Sequence, residues 1–164
     1  MALLLGNVEV EQVMSMPDCH RVMEETFQLA GSGQTWNRAR SRIRLPKGFH
    51  HLMAAAVMGS NVFGLKTYTS YRTGTRFLIL LYDSETGDLL SLIQGERCSV
   101  LRTGAVSAVA TNHLSREDAS TVGIIGTGLQ GRGQLQGVCA VRDIRSVQAF
   151  DMSAEACKNF CAEM

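Results

Sequence analysis

The stretch Thr121-Val-Gly-Ile-Ile-Gly126-Thr127-Gly128-Leu129-Gln130-Gly131 is an apolar run that opens into G-x-G-x-x-G, and Asp151 follows twenty residues after the last glycine. With sixteen glycines among 164 residues, the bare pattern is a weak signal. Its context is stronger. Thr121–Ile125 reads as a strand, so Gly126 can turn tightly at the strand's end. Leu129–Val141 reads as a helix, whose N-terminal amides and dipole can face a pyrophosphate. Gly128 lets the backbone approach the phosphates, and Gly131 permits close contact between helix and strand. Ser146–Phe150 reads as a second strand ending at Asp151, where a carboxylate can accept hydrogen bonds from adenosine ribose hydroxyls. The same carboxylate repels a 2′-phosphate, and Met152-Ser153 offers no arginine to receive one. NAD(H) is therefore expected over NADP(H).

Ser153–Met164 reads as the start of a further helix, which makes the segment β-α-β-α. A doubly wound nucleotide domain needs more βα units than this to cover both faces of a parallel sheet. The chain is accordingly expected to be the N-terminal part of a longer protein. Upstream, Cys98–His113 is rich in small apolar residues (Thr103-Gly-Ala-Val-Ser-Ala-Val-Ala110) and reads as a packed helix, while Ser115–Ser120 is polar and loop-like. A boundary near Glu117 follows, with domains at 1–117 and 118–164. The expected fold class is α/β, an N-terminal α+β domain followed by an incomplete Rossmann-type domain.

Before that helix the texture is strand-rich. Leu3–Leu5 is a short strand candidate. Ser15 is a plausible N-cap, with Pro17 in the first turn of a helix running to Gly31. Val22, Met23, Phe27 and Ala30 recur at helical spacing and are expected to face a core. Arg38–Leu45 alternates strictly, as a half-buried strand does. His50–Met58, Val62–Tyr71 and Phe77–Tyr82 are further strands. Asp83-Ser-Glu-Thr-Gly87 has turn chemistry, and Leu89–Gln94 returns as its hairpin partner.

Composition narrows the function classes. An apolar fraction of 45% and a charged fraction of 19% belong to an ordinary globular protein. A net charge of +1 gives no reason to expect a nucleic-acid partner. No apolar run approaches the roughly 18 residues that span a membrane, and the N-terminus lacks signal-peptide features. Five cysteines, an odd number without a C-x-x-C pair, argue for reduced thiols in the cytosol. Cys157 and Cys161 lie one helical turn apart without a His or Cys partner nearby, so no metal is expected.

Several cations upstream of the glycines have possible chemistry. Arg38, Arg40, Arg42 and Arg44 are expected on one strand face because side chains alternate with period two. They form either a solvated face or a receiver for a carboxylate, which suits the arginine fork, and composition does not choose among the four. Lys66 lies mid-strand in Phe63-Gly-Leu-Lys-Thr-Tyr, and Arg102 interrupts a small, apolar stretch. His50 and His51 point to opposite faces of a strand and, with His20 and His113, read as structural or surface residues.

The ordered set Arg42-Ile-Arg-Leu-Pro46, Gly64-Leu-Lys66, Leu81–Gly87, Leu101-Arg-Thr-Gly-Ala105 and Gly126-Thr-Gly-Leu-Gln130 resembles the ornithine cyclodeaminase/mu-crystallin family. The resemblance runs from the first helix to the end of the chain. It implies an NAD(P)-dependent cyclodeaminase, dehydrogenase or reductase acting at the α-carbon of an amino or imino acid, with a non-catalytic crystallin-like carrier of NAD(P) and small ligands, or a dimerising fragment, as the alternative. It further implies that Arg42 binds the substrate carboxylate and that Lys66 contacts the carboxylate or carbonyl oxygen and polarises the reacting carbon. Arg102, with Thr103 beside it, would reach the cofactor phosphates. Gly126, Thr127, Gly128, Leu129 and Gln130 would line the pyrophosphate, and Asp151 would hold the ribose. The first domain would make a homodimer through its sheet. The family's catalytic aspartate would lie beyond position 164, and Gly131 stands where alanine is more usual.

Overall fold

A computed structural model describes residues 1–164. Contacts divide them into two units, Met1–Val13 with Glu25–Cys98, and Met14–Glu24 with Ser99–Met164. The division differs from the boundary expected at Glu117, because most of the small-residue helix after Cys98 is built into the second unit.

The first unit carries β1 (Leu3–Leu5), α1 (Asn7–Val13), the end of α2 (Met16–Gly31), β2 (Thr35–Asn37), β3 (Ser41–Leu45), β4 (Gly48–Val57), β5 (Val62–Tyr71), β6 (Gly74–Asp83) and β7 (Leu89–Gln94). The strands form one sheet in the order β1-β7-β6-β5-β4-β2, with β3 also paired to β4. All pairings are antiparallel except β1 with β7. Met53, Lys66 and Ile79 stand opposite one another across β4, β5 and β6. The β6–β7 turn forms as its residues dictate. Asp83 Oδ1 accepts the Glu85 and Thr86 amides at 2.8 and 2.9 Å, and Gly87 takes φ of +76°.

Two departures from expectation bear on the candidate site. The strand expected over Arg38–Leu45 forms only from Ser41, and β2, which the sequence reading missed, precedes it on the same edge. Asn37 opposes Ala55 and Ser41 opposes Leu52, so four steps on the edge face three on β4. One extra residue is a β-bulge, and it inverts the face on which the preceding side chains lie. Arg42, opposite His51, thus shares a face with Lys66, whereas Arg38, whose amide donates to Ala54 at 3.0 Å, has the opposite parity. The four arginines do not form a single row. The second departure is in α2, where Val22 and Phe27 are 47% and 46% exposed. The buried residue is Cys19, packed with Leu101 and Ala105 among Met14, Met16 and Met23. The short helix α1 was also missed.

The second unit contains the start of α2, most of α3 (Glu96–Leu114), β8 (Thr121–Ile125), α4 (Leu129–Cys139), β9 (Ser146–Phe150) and α5 (Ala154–Glu163). β8 and β9 pair in parallel, from Thr121 with Ser146 to Ile125 with Phe150. The helices α3 and α4 meet backbone to backbone. A Cβ at Gly104 would strike the Gly133 carbonyl, and one at Gly137 would strike the Gly104 carbonyl. Arg142, on the loop after α4, closes the end of α3. Its guanidinium donates to the carbonyls of Thr111 (3.1 Å), Asn112 (2.9 Å), Ser115 (3.3 Å) and Arg116 (3.0 Å). No helix is long and apolar enough to cross a membrane.

Candidate functional site

The glycine turn of the second unit is the better defined of two candidate centres. Gly126 leaves β8 with φ of +97°, in the left-handed region that glycine occupies without strain. Its amide donates to Phe150 O at 2.8 Å, which ties the turn to the end of β9. A Cβ at Gly131 would run into the Gly126 carbonyl, so the third glycine is required by close packing, as expected. Gly128 is different. It is the N-cap of α4 with φ of −73°, and a Cβ there would meet nothing within 4 Å. Neither backbone strain nor internal packing asks for glycine at 128.

No side chain caps α4, so its first amides and positive dipole end remain for an anion. Leu129 and Gln130, the first two helical residues, are exposed. These features fit the pyrophosphate of a dinucleotide. Thr127 is 1% exposed, and its amide and hydroxyl both donate to Asp151 Oδ2, at 2.8 and 3.0 Å. Ser153 N donates to Asp151 Oδ1 at 2.9 Å. The Thr127 amide foremost, then the Ser153 amide and the Thr127 hydroxyl, holds the Asp151 carboxyl below the usual carboxylate range. An ionised Asp151 suits the expected preference for an unphosphorylated ribose. Of the α3 residues, Arg102 is exposed, whereas Thr103 donates its hydroxyl proton to Ser99 O at 2.6 Å. Thr103 can reach a phosphate as a donor only by giving up that bond.

The second centre is on the sheet of the first unit, on the face that carries Arg42 and Lys66. Lys66 Nζ lies 5.5 Å from the Tyr68 ring centre and 5.2 Å from that of Phe77. The Arg42 guanidinium lies 5.3 Å from the Phe49 ring, and that of Arg40 5.9 Å from Tyr68. The aromatic side chains keep these cations over apolar surface. Arg42, Arg40 and Arg38 also border a hollow of about 690 Å³ with Asn37, Ala39 and Met53.

His51 sits within this group, and the sequence reading assigned it only a structural or surface place. It is 5% exposed and stacks on Tyr68 with ring centres 4.2 Å apart. Its Nε2 lies 3.1 Å from Ser70 Oγ, while Nδ1 is buried without a hydrogen-bond partner. Burial, and then the charges of Arg42, Arg40 and His50, push its pKa below the ordinary value. The signal available in the sequence was parity, since His51 and Lys66 face the same way once β4 and β5 are in register.

A depressed histidine pKa gives stability a definite pH dependence. Between the folded value and about 6.5, the unfolded chain binds a proton at this position and the folded chain does not. Stability therefore falls as pH drops below about 6.5 and levels off below the folded pKa. His51→Gln is expected to flatten that slope in urea midpoints measured between pH 7.5 and 5.5.

A glycine turn of the nucleotide-binding βαβ type and a cationic, aromatic sheet face in an α+β unit define an α/β protein built like the first half of a dinucleotide-binding protein. The sequence matches the ornithine cyclodeaminase/mu-crystallin family over residues 1–164, and the chain belongs to that family. An alanine dehydrogenase of Archaeoglobus fulgidus is 32% identical over 165 residues, which take in 96% of this chain and 51% of the relative. Among solved structures, the Thermococcus litoralis Delta(1)-pyrroline-2-carboxylate reductase, in complex with NADH and L-proline, has a TM-score of 0.94 and 32% identity, covering 98% of this chain and 53% of that one. An archaeal alanine dehydrogenase dimer with bound NAD has a TM-score of 0.94 and 30% identity, covering 99% and 52%. The chain spans about half the length of these relatives.

Proposed function

We propose that this chain carries cofactor- and substrate-binding residues of an NAD-dependent enzyme that moves hydride at the α-carbon of an amino or imino acid. The observation that carries this reading is the turn at Gly126–Gln130, where Gly128 is required by nothing inside the protein and α4 begins without a side-chain cap. When bound, the nicotinamide supplies or accepts the hydride. Arg42 and Lys66 hold the carboxylate, Arg42 by a bidentate fork and Lys66 as a point charge that also draws electrons from the reacting carbon. Arg102 serves the cofactor phosphates. Thr103 stands beside it, Thr127, Leu129 and Gln130 complete the phosphate turn, and Asp151 disfavours a 2′-phosphate. The substrate class is supported by the relatives, named for alanine and for a cyclic imino acid, each with a carboxylate next to the carbon bonded to nitrogen. A homodimer is proposed on the likeness to an alanine dehydrogenase dimer.

The test is a fluorescence titration with NADH and NADPH. NADH is expected to bind at least about 10-fold more tightly, because the Asp151 carboxylate repels the 2′-phosphate. Gly128→Val is expected to abolish binding while leaving the circular dichroism unchanged, since its side chain projects into open space. A parent protein that binds neither nucleotide overturns the reading. Binding without turnover on any amino or imino acid turns it towards a carrier of cofactor and small ligands.

A further inference from the structure

We propose that the substrate carries a second carboxylate on its side chain and that Arg40 receives it, which makes the ligand a dicarboxylic amino or imino acid. The proposal rests on the reading above, in which Arg42 and Lys66 hold the α-carboxylate, and narrows it to one substrate class.

Charge is the first ground. A carboxylate has about four lone-pair positions, and the Arg42 fork with the Lys66 ammonium takes three of them. A single carboxylate therefore leaves further cations without a partner. Yet Arg38, Arg40 and Arg42 all border one hollow of about 690 Å³, whose other lining residues, Asn37, Ala39 and Met53, bring no negative charge. None of the three arginines forms an ion pair with a carboxylate of the protein. On a chain whose net charge is only +1, cations gathered without counter-charge make the hollow a local source of positive potential.

Placement is the second. Met53 pairs with Lys66 across β4 and β5, so the hollow opens beside the lysine. The Arg40 guanidinium and the Lys66 ammonium lie 5.9 and 5.5 Å from the same Tyr68 ring centre. Arg42 stands opposite His51, whose ring stacks on Tyr68 at 4.2 Å. Arg42, Lys66 and Arg40 are thus grouped around a single pair of stacked rings. Burial first, then the charges of Arg42 and Arg40, depress the His51 pKa, as two guanidiniums near one ring should. A guanidinium held over an aromatic face keeps its N–H edge for an acceptor. A carboxylate at the end of a short side chain supplies that acceptor and matches the planar fork.

The test compares acids with amides of the same size. L-Aspartate, L-asparagine, L-glutamate and L-glutamine are titrated into the chain by isothermal calorimetry, at constant ionic strength and with NADH present. Each acid shares the α-carboxylate with its amide and differs from it by one charge. The preferred acid is expected to bind about 10-fold more tightly than its amide, as one charge-assisted pair contributes. Arg40→Met is expected to remove the difference by weakening the acid alone. Arg40→Lys should keep part of it, since an ammonium retains the charge but not the fork. Arg42→Met should weaken acid and amide by the same factor, because both present the α-carboxylate. Inorganic phosphate, the probe for an unselective basic patch, should not displace the acid at equal concentration. The proposal is overturned if the parent binds acid and amide alike, if Arg40→Met leaves the preference intact, or if phosphate competes. A parent that binds none of the four, or an Arg42→Met variant that binds them all like the parent, overturns the carboxylate reading itself, and this proposal with it.

Discussion

Arg142→Met should destabilise the second unit by about 3 kcal/mol in urea unfolding, a large effect for a residue outside any helix or strand. The last carbonyls of a helix have no partner within it. Here Asn112 in the last turn of α3 and Ser115 just beyond direct theirs to one guanidinium, which also reaches the carbonyls of Thr111 and Arg116, already accepting the amides of Ser115 and Ala119. Arg142 also donates from Nη1 to Asn112 Oδ1 at 3.2 Å and from Nε to Ser115 Oγ at 3.0 Å. Each charge-assisted bond is worth on the order of 1.5–3 kcal/mol where water is excluded. Partial solvent access and non-additivity bring the sum down to about 3. The charge at a helix C-terminus contributes less than 1 kcal/mol of that. Arg142→Lys should therefore recover less than half of the loss, since one ammonium cannot span these six acceptors. Full recovery by lysine would mean that charge, not the fork, holds α3 closed.

Gly137→Ala should cost about 2 kcal/mol, even though alanine is the better helix former by about 1 kcal/mol. The added Cβ would fall within the Gly104 carbonyl group, 2.6 Å from its carbon and 3.2 Å from Gly104 Cα. Backbone atoms cannot rotate away as a side-chain tip does, so α3 and α4 must separate. Parting them also loosens Leu101 and Ala105 from the Cys19 cluster. Gly104→Ala meets the same obstacle from the other helix, at the Gly133 carbonyl. The double variant should cost less than the sum of the singles, because a single separation relieves both overlaps. Gly31→Ala, with nothing within 4 Å, is the matched control and should change the urea midpoint little.

These two predictions also mark what the sequence could and could not disclose. Local chemistry was legible. β5, β7, β8 and β9 have the expected boundaries, the Asp83 turn forms as read, and Ser15 caps α2 by accepting the Asp18 amide at 3.2 Å. Each follows from alternation or from a side chain bonding its own neighbourhood. The small residues of α3 announced close packing but not its partner, because nothing at Gly104 points to Gly133, which lies on another helix. Arg142 was unread for the same reason, since its acceptors lie some thirty residues earlier. The run of arginines misled because strict alternation assumes an unbroken ladder, and one bulged residue cancels it. At the candidate site, the glycine spacing disclosed the turn and the resemblance singled out Arg42 and Lys66. The burial of His51 and the tie from Asp151 to Thr127 emerge only when strands and turn are brought together.

The ladder Met53–Lys66–Ile79 has a consequence for how this sequence can change. A strand has two faces and no intermediate position. Deleting one residue within β5 ahead of Lys66 would turn the lysine away and present Leu65 or Thr67 to the aromatic surface. Two residues would restore the facing at the price of a shift along the strand. Insertions and deletions here are thus read in parity, odd changes silencing the cationic face and even ones preserving it. The bulge at Arg38–Arg40 is one such odd step already present in the chain, confined to the edge, where it re-aims a single arginine and leaves Lys66 in place.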